Sequence, residues 1–99
     1  MTKWADFLIS EVRYGKNHVI DEVKIHTEDE NGISVSTISP RSDITHNIKN
    51  GKTYKTIFRS LNGWKPGDTV RIFRISGDHF IRIDQNKVEQ DNISQINQY

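Results

Sequence analysis

The sequence contains no cysteine, which excludes a disulfide framework, a thiolate zinc site and a cysteine nucleophile. It also lacks a long apolar run, since Lys3, Asp6, Glu11, Arg13 and Lys16 interrupt its first part, so we predict neither a signal peptide nor a membrane span. A large net charge is missing as well, because 14 Lys and Arg oppose 13 Asp and Glu. We therefore expect a cytoplasmic protein without a strongly basic or acidic character.

Leucine occurs only twice, against fourteen Ile and six Val, and β-branched side chains favour strands over helices. The 99 residues suffice for one domain. The sequence thus predicts a mainly β, single small domain: a bent antiparallel sheet of five or six strands, or a small barrel, with one short helix. We expect residues 1–86 to form this β-rich domain and the polar residues 87–99 to pack on it or extend from it.

Alternating apolar residues place the strands. Between Trp4 and Tyr14 the alternation slips near Ser10 and Glu11, which predicts a first strand with a bulge. Similar patterns predict further strands at about residues 19–26, 33–38, 53–60, 69–75 and 79–84.

One segment carries helical signals. Ser39 suits a helix cap and Pro40 a first helical position, which predicts a helix at about residues 40–50. Ile44 and Ile48 form a narrow apolar stripe on it, and a helix this short is not stable alone in water. We expect it to be stabilised by docking against the sheet.

Two turn predictions shape the second half of the chain. Residues 65–68, Lys-Pro-Gly-Asp, predict a turn that leaves Trp64 on a loop or at its rim. Gly77-Asp78 predicts a two-residue turn that places Phe73 opposite Arg82. The resulting core face carries Val70, Ile72, Ile81 and Ile83, and the other face carries Arg71, Phe73, Ile75, Phe80, Arg82 and Asp84. That second face is either covered within the domain or a binding surface.

Charge is unevenly spread along the chain. Residues 1–40 carry a net charge of −3, residues 41–82 carry +6 and residues 83–99 carry −2. The basic middle segment also holds most of the aromatic side chains, and this mixture predicts a binding surface. The candidate binding residues are Lys55, Arg59, Trp64, Arg71, Phe73, Arg74, Phe80 and Arg82.

Two partners fit those residues. A protein is the first, because the overall charge is balanced and the surface is larger than one small ligand needs. Nucleic acid is the alternative, because basic side chains follow a phosphate backbone while aromatic rings stack on bases. The two differ in salt response, since phosphate binding weakens steeply as ionic strength rises and an aromatic hot spot persists.

Catalytic and metal motifs are missing from the sequence. The histidines His18, His26, His46 and His79 have no spacing typical of a metal site, so we predict no metal and no cofactor. Residues 76–79 include Ser, Asp and His, but neighbours on a tight turn point to different faces and cannot assemble a triad. No nucleophile elbow, phosphate loop or dinucleotide fingerprint occurs. We predict that the protein is not an enzyme.

The C-terminal residues 77–84, Gly-Asp-His-Phe-Ile-Arg-Ile-Asp, are followed by Asp91-Asn92-Ile93. This pattern resembles a domain-of-unknown-function family of short bacterial and phage proteins, which end in Gly-x-x-Tyr-Ile-Arg and then Asp-Asn-Leu-x-x-Leu-Pro. Phe80 replaces Tyr, Ile93 replaces Leu, and Asn97 stands where the family often has Pro. The resemblance implies a compact β-rich, non-enzymatic domain and assigns no activity. Arg82 either pins the tail over the hairpin or binds a ligand.

Overall fold

The computed structural model describes residues 4–29, 32–61, 63–75, 77–83, 90–93 and 96–99. Within them the strands are β1 (Phe7–Tyr14), β2 (Ile20–His26), β3 (Glu28–Asp29), β4 (Gly32–Ile33), β5 (Thr37–Pro40), β6 (Tyr54–Ser60), β7 (Gly63–Ile75), β8 (Asp78–Arg82) and β9 (Asn97–Gln98). The α-helix α1 (Arg41–Lys49) lies between β5 and β6, and a 3-10 turn covers Lys16–His18. The predictions of a mainly β domain and of a helix near residues 40–50 are confirmed.

The main sheet has the order β5-β2-β1-β6-β7-β8, and β9 pairs with β1 beside this path. Most neighbours are antiparallel, but β1 and β6 are parallel, so the sheet is mixed rather than wholly antiparallel as predicted. The reason is the crossover: the chain runs from β5 through α1 before β6 returns alongside β1 in the same direction.

The main core lies on the sheet face that α1 and the tail cover. Ile9, Val12 and Val23 of the sheet pack with Ile44 of α1 and Ile93 of the tail, and all five are fully buried. The predicted docking of the helix through its apolar stripe is therefore confirmed. The helix begins at Arg41, one residue later than predicted. Pro40 flanks the helix instead of being its first residue, and no side chain caps the N-terminus.

The opposite face carries a smaller cluster of Ala5, Leu8 and Ile57, against which Trp4 and Trp64 pack. Leu8 and Ile9 serve different clusters because successive strand side chains point to opposite faces. The predicted bulge lies where expected, with the register shifting between Ile9 and Glu11. Beyond it the side chains of β1 continue to alternate between the two faces of the sheet.

The predicted turn at residues 65–68 is wrong. These residues continue β7, which runs from Gly63 to Ile75 with a register shift opposite Lys55 and Ile57. A Cβ on Gly67 would clash with Thr56 Oγ1, and that oxygen accepts the Asp68 N–H at 2.9 Å. Pro-Gly-Asp here marks a bulge where two strands approach closely. Trp64 consequently lies in a strand.

The predicted register of the last hairpin is also wrong, by two residues. Phe73 pairs with Phe80 and Ile75 with Asp78, and Gly77 takes the positive φ of 90° that the turn requires. A shift of two preserves the faces, so Val70 and Ile81 still point into the main core as predicted. The pairings predicted for Ser76 and Asp84 fall outside the described residues.

The predicted third strand, residues 33–38, is divided in two. Its first part pairs as β4 with β3, and its second part pairs as β5 with β2. No helix in the described part of the chain is long and apolar enough to cross a membrane.

Candidate functional site

A groove of about 420 Å³ opens at one end of the sheet, where β6 leaves β1. The two strands pair only as far as Ile9 and Thr56, and from Glu11 onward β1 pairs with β9 instead. Side chains from β1, β2, β6, β7 and the tail line the resulting fork. We call this space the fork groove.

Arg59 and Trp64 form one wall of the fork groove. They occupy directly opposite positions on β6 and β7, with the Arg59 guanidinium carbon 4.8 Å from the centre of the Trp64 ring. The ring also packs against the Ile57 cluster, whereas Arg59 is exposed. Packing on both sides fixes the indole, and the guanidinium stays open to solvent.

The main chain of β6 is open towards the fork. Ser60 pairs with Gly63 where the hairpin closes, and the closing pair of a tight hairpin is hydrogen-bonded. Because pairs alternate, the Arg59 N–H and C=O point away from β7, and no described residue pairs with them there. The same alternation places Pro66, which has no N–H, opposite Ile57 at a position that needs none.

Exposed apolar residues lie in the fork groove or close to its lining residues in the chain. Phe58 lines it and is 50% exposed, Val35 precedes the lining residue Ser36 and is 86% exposed, and Leu61 at the hairpin tip is fully exposed. Isolated exposed apolar residues are common, but several around one groove are typical of a binding surface.

The groove carries one unneutralised cation among the described residues. Glu11 lines the groove, but its carboxylate is held by Lys24 at 2.9 Å. Arg59 has no carboxylate partner within ion-pair distance in the part of the chain that is described. The groove is therefore suited to an anionic group.

A serine and a histidine meet at the base of the fork groove. Ser10 Oγ lies 2.7 Å from His26 Nε2, and His26 Nδ1 lies 2.8 Å from the Ser34 carbonyl oxygen. His26 is 7% exposed, and the centre of its imidazole lies 5.4 Å from that of the Trp64 ring. The sequence pattern does not reveal this pair, because its members lie sixteen positions apart in the chain. The bulge predicted at Ser10 was the available signal.

The eight predicted binding residues do not form one surface. Arg59 and Trp64 lie in the fork groove, with Lys55 further along β6 towards the middle of the sheet. On the β7–β8 hairpin, Arg71 and Arg74 are exposed, Phe73 is half-buried, and Phe80 and Arg82 are buried. Arg82 Nη1 donates to the Gln90 carbonyl at 2.7 Å, so this arginine holds the tail against β8.

A second polar cluster, which we call the Asp91 junction, ties the tail to the sheet and helix. Asp91 is fully buried and accepts the backbone N–H groups of Ile20 at 2.7 Å and Ile81 at 2.8 Å. Arg41 adds two bonds, from Nε at 2.8 Å and Nη2 at 3.1 Å. Arg41 Nη2 also donates to the His79 carbonyl at 2.7 Å. Both carboxylate oxygens are thus occupied from within the protein.

Tyrosine pKa values reflect how the tail packs. Burial raises the pKa of Tyr14, whose hydroxyl accepts the Ile93 N–H, and burial likewise raises the pKa of Tyr54. Burial, and then the negative charge of the Glu22 carboxylate, raise the pKa of Tyr99 to about 12. Lys24 Nζ lies 4.8 Å from the centre of the Tyr99 ring.

The described residues contain no group of His, Asp and Glu side chains placed to hold a metal ion. No protein-family model, curated protein or solved structure matches the chain. The resemblance to a domain-of-unknown-function family therefore stays a prediction, and function must be argued from the groove itself.

Proposed function

We propose that this protein is a protein-binding module that holds an extended segment of its partner in the fork groove. The observation that carries the proposal is the open main-chain edge at Arg59, directly beside the Arg59–Trp64 pair. An extended peptide that adds to such an edge gains affinity from main-chain hydrogen bonds and specificity from its side chains.

The fork already contains an extended segment of this kind. β9 pairs in parallel with Glu11 and Val12 of β1, and the Tyr99 N–H donates to the Val12 carbonyl at 3.1 Å. The edge of β6, on the other side of the fork, can likewise form main-chain hydrogen bonds to an added strand, and it is open at Arg59. A partner strand on β6 lies between two existing strands of the sheet.

The side chains indicate the chemistry of the partner segment. Arg59 favours an aspartate or glutamate, because Glu11 is already neutralised by Lys24. Trp64 and Phe58 favour an apolar or aromatic neighbour, and Trp and Arg are enriched among residues that dominate binding energy. The partner segment is therefore an extended peptide with an acidic and a large apolar residue.

Nucleic acid remains the second candidate, favoured by a guanidinium and two aromatic side chains in one groove. The distribution of the other cations weighs against it. Arg71 and Arg74 lie on the distant hairpin, and Arg82 is buried against the tail. A backbone with regularly spaced phosphates is better served by a continuous basic stripe.

Selection from a displayed library of short random peptides tests the proposal. We expect enriched peptides to carry an acidic and a large apolar residue, and to bind Arg59→Glu and Trp64→Ala at least about tenfold more weakly, a loss typical of a hot spot. Arg74→Glu removes an equally exposed arginine on β7 away from the groove and serves as the matched control. It should bind as tightly as the unaltered protein.

Two results would overturn the proposal. One is selection of peptides whose binding is unchanged by both groove substitutions. The other is tight binding of a single-stranded oligonucleotide that falls steeply between about 50 and 200 mM salt and is lost in Arg59→Glu, since this is the signature of phosphate contacts.

A further inference from the structure

The Ser10–His26 pair indicates a chemical activity in addition to peptide binding. We propose that Ser10 is a nucleophile, activated by His26, which accepts an acyl group from a carboxylic ester bound in the fork groove. The inference rests on the geometry around these two side chains and not on the open edge of β6. It therefore stands or falls separately from the proposed binding function.

The hydrogen bonds of His26 fix its tautomer. A carbonyl oxygen only accepts, so the contact at 2.8 Å to the Ser34 carbonyl requires a proton on Nδ1. In the neutral imidazole, Nε2 then carries the lone pair, and the Ser10 hydroxyl donates to it at 2.7 Å. This is the arrangement of nucleophile, base and orienting group that serine hydrolysis requires, with a backbone carbonyl in the orienting role.

Ser10 lines the fork groove, with 8% of the residue exposed. The β1–β2 register passes from Ile9 to Glu11 and leaves Ser10 at the bulge, on the wall of the fork groove. A bulge re-aims a side chain relative to its neighbours on the strand. Trp64 offers apolar surface for an acyl chain beside it. Two further lining residues, Arg59 and Asn97, carry N–H donors suited to negative charge on a carbonyl oxygen.

The chemical step balances without any cofactor. Ser10 Oγ attacks the ester carbonyl carbon while its proton passes to His26 Nε2. The bond between carbonyl carbon and alcohol oxygen then breaks, and Nε2 returns the proton to the departing alkoxide, which leaves as an alcohol. Water next attacks the acyl-serine, with His26 again as base, and releases the carboxylic acid and free Ser10.

A fluorophosphonate probe tests this inference, because it forms a stable phosphonyl ester on an activated serine hydroxyl. We expect the mass of the intact protein to rise by one adduct, mapped to Ser10 by peptide mass spectrometry. Ser10→Ala should abolish labelling, and His26→Gln should slow it at least about a hundredfold, as loss of a catalytic base does. The matched controls Ser42→Ala and His79→Gln alter exposed residues outside the groove and should label normally.

A second readout uses a small activated ester. 4-Nitrophenyl acetate should give a burst of nitrophenolate equal to the protein concentration in the unaltered protein and none in Ser10→Ala.

The inference is overturned if no adduct forms, if the adduct lies elsewhere, or if His26→Gln reacts as fast as the unaltered protein. If circular dichroism shows that His26→Gln is unfolded, the test uses the labelling rates of two serines in the unaltered protein. Labelling of Ser10 no faster than that of the exposed Ser42 in the same sample then rejects activation, and clearly faster labelling supports it.

Discussion

The fork groove and the Asp91 junction each contain an arginine, and the two guanidinium groups differ in their hydrogen-bond partners. At the junction, Arg41 donates to a fully buried carboxylate and to a backbone carbonyl. In the groove, Arg59 lies over the Trp64 ring with its guanidinium exposed. One side chain completes a closed network within the protein, and the other retains its hydrogen-bonding capacity for something outside it.

The difference separates polar groups that stabilise the fold from those left for function. Buried polar groups are almost always paired, and Asp91 meets this requirement with four hydrogen bonds from three residues. Arg59, with its open main-chain edge and its exposed apolar neighbours, makes only an exposed contact with the Trp64 ring. Residues of the first kind should therefore govern the free energy of unfolding, and those of the second kind should govern binding.

Asp91→Asn gives the largest expected effect. The amide has one acceptor oxygen, so in either orientation its NH₂ group faces one backbone N–H and one N–H of the Arg41 guanidinium. Breaking one partner of a buried charge pair costs about 3 to 5 kcal/mol, and we expect a loss of this size in the free energy of unfolding, measured by urea denaturation. Hydrogen exchange at the Ile93 amide should report release of the tail, because this N–H donates to the Tyr14 hydroxyl.

Asp78→Asn is the matched control for this substitution. Asp78 starts β8 on the same side of the domain, but its side chain is exposed, so the change should stay within about 0.5 kcal/mol. Equal midpoints for the two variants would mean that the Asp91 junction does not hold the domain together.

Comparison of Arg41→Ala with Arg59→Ala tests the division between the two regions directly. Arg41→Ala leaves Asp91 buried with two backbone donors. Because the Arg41 side chain is itself partly exposed, we expect the free energy of unfolding to fall by about 3 kcal/mol, which is the lower end for a broken buried pair. Arg59→Ala loses one exposed contact with an aromatic ring, worth about 0.5 to 1 kcal/mol. Urea denaturation of both variants measures this difference.

Binding should change in the reverse order. Arg59→Ala should weaken peptides selected on the fork groove, and Arg41→Ala should leave their affinity unchanged under conditions where it stays folded. If Arg59→Ala were instead the more destabilising variant, the groove arginine would be a structural residue and the division would fail.

Much of the fold followed from local sequence patterns. The bulge near Ser10, the docking of α1 through Ile44 and the core side of Val70 and Ile81 each depend on side-chain periodicity within one element. Proline and glycine were misleading at residues 66 and 67, because the same dipeptide suits a turn and a bulge. Only the position of Thr56 on the neighbouring strand distinguishes the two.

The candidate site was less accessible to sequence reasoning, for a topological reason. Arg59 and Trp64 were predicted because basic and aromatic residues are mixed in the middle of the chain. The groove that they line depends on where β6 diverges from β1, which is a long-range parallel pairing. The contact between Ser10 and His26 depends on the β1–β2 register at a bulge. For Arg82 the sequence predicted either a ligand contact or attachment of the tail, and the hydrogen bond to the Gln90 carbonyl confirms the attachment.

The smallest expected effect concerns pH and the attachment of the tail at Tyr99. Its folded pKa of about 12 exceeds the ordinary value of 10.0, so the folded state favours the neutral phenol. As pH rises above 10, the unfolded chain loses this proton first, and the free energy of unfolding must fall between pH 10 and 12. Below pH 10 both states keep the proton, and stability is unaffected by this group. The residue is 39% exposed, so solvent screening keeps the effect small.

Tyr99→Phe isolates this contribution from that of Tyr14 and Tyr54, whose pKa values are also raised by burial. Urea denaturation at pH 9 and pH 11 should show a smaller loss of stability for the variant than for the unaltered protein, because phenylalanine has no proton to lose. The Glu22 carboxylate near the phenol contributes to the raised pKa, so Glu22→Gln should reduce the same difference in part. Identical losses in all three proteins would mean that the Tyr99 hydroxyl does not sense the β1–β2 surface in the folded state.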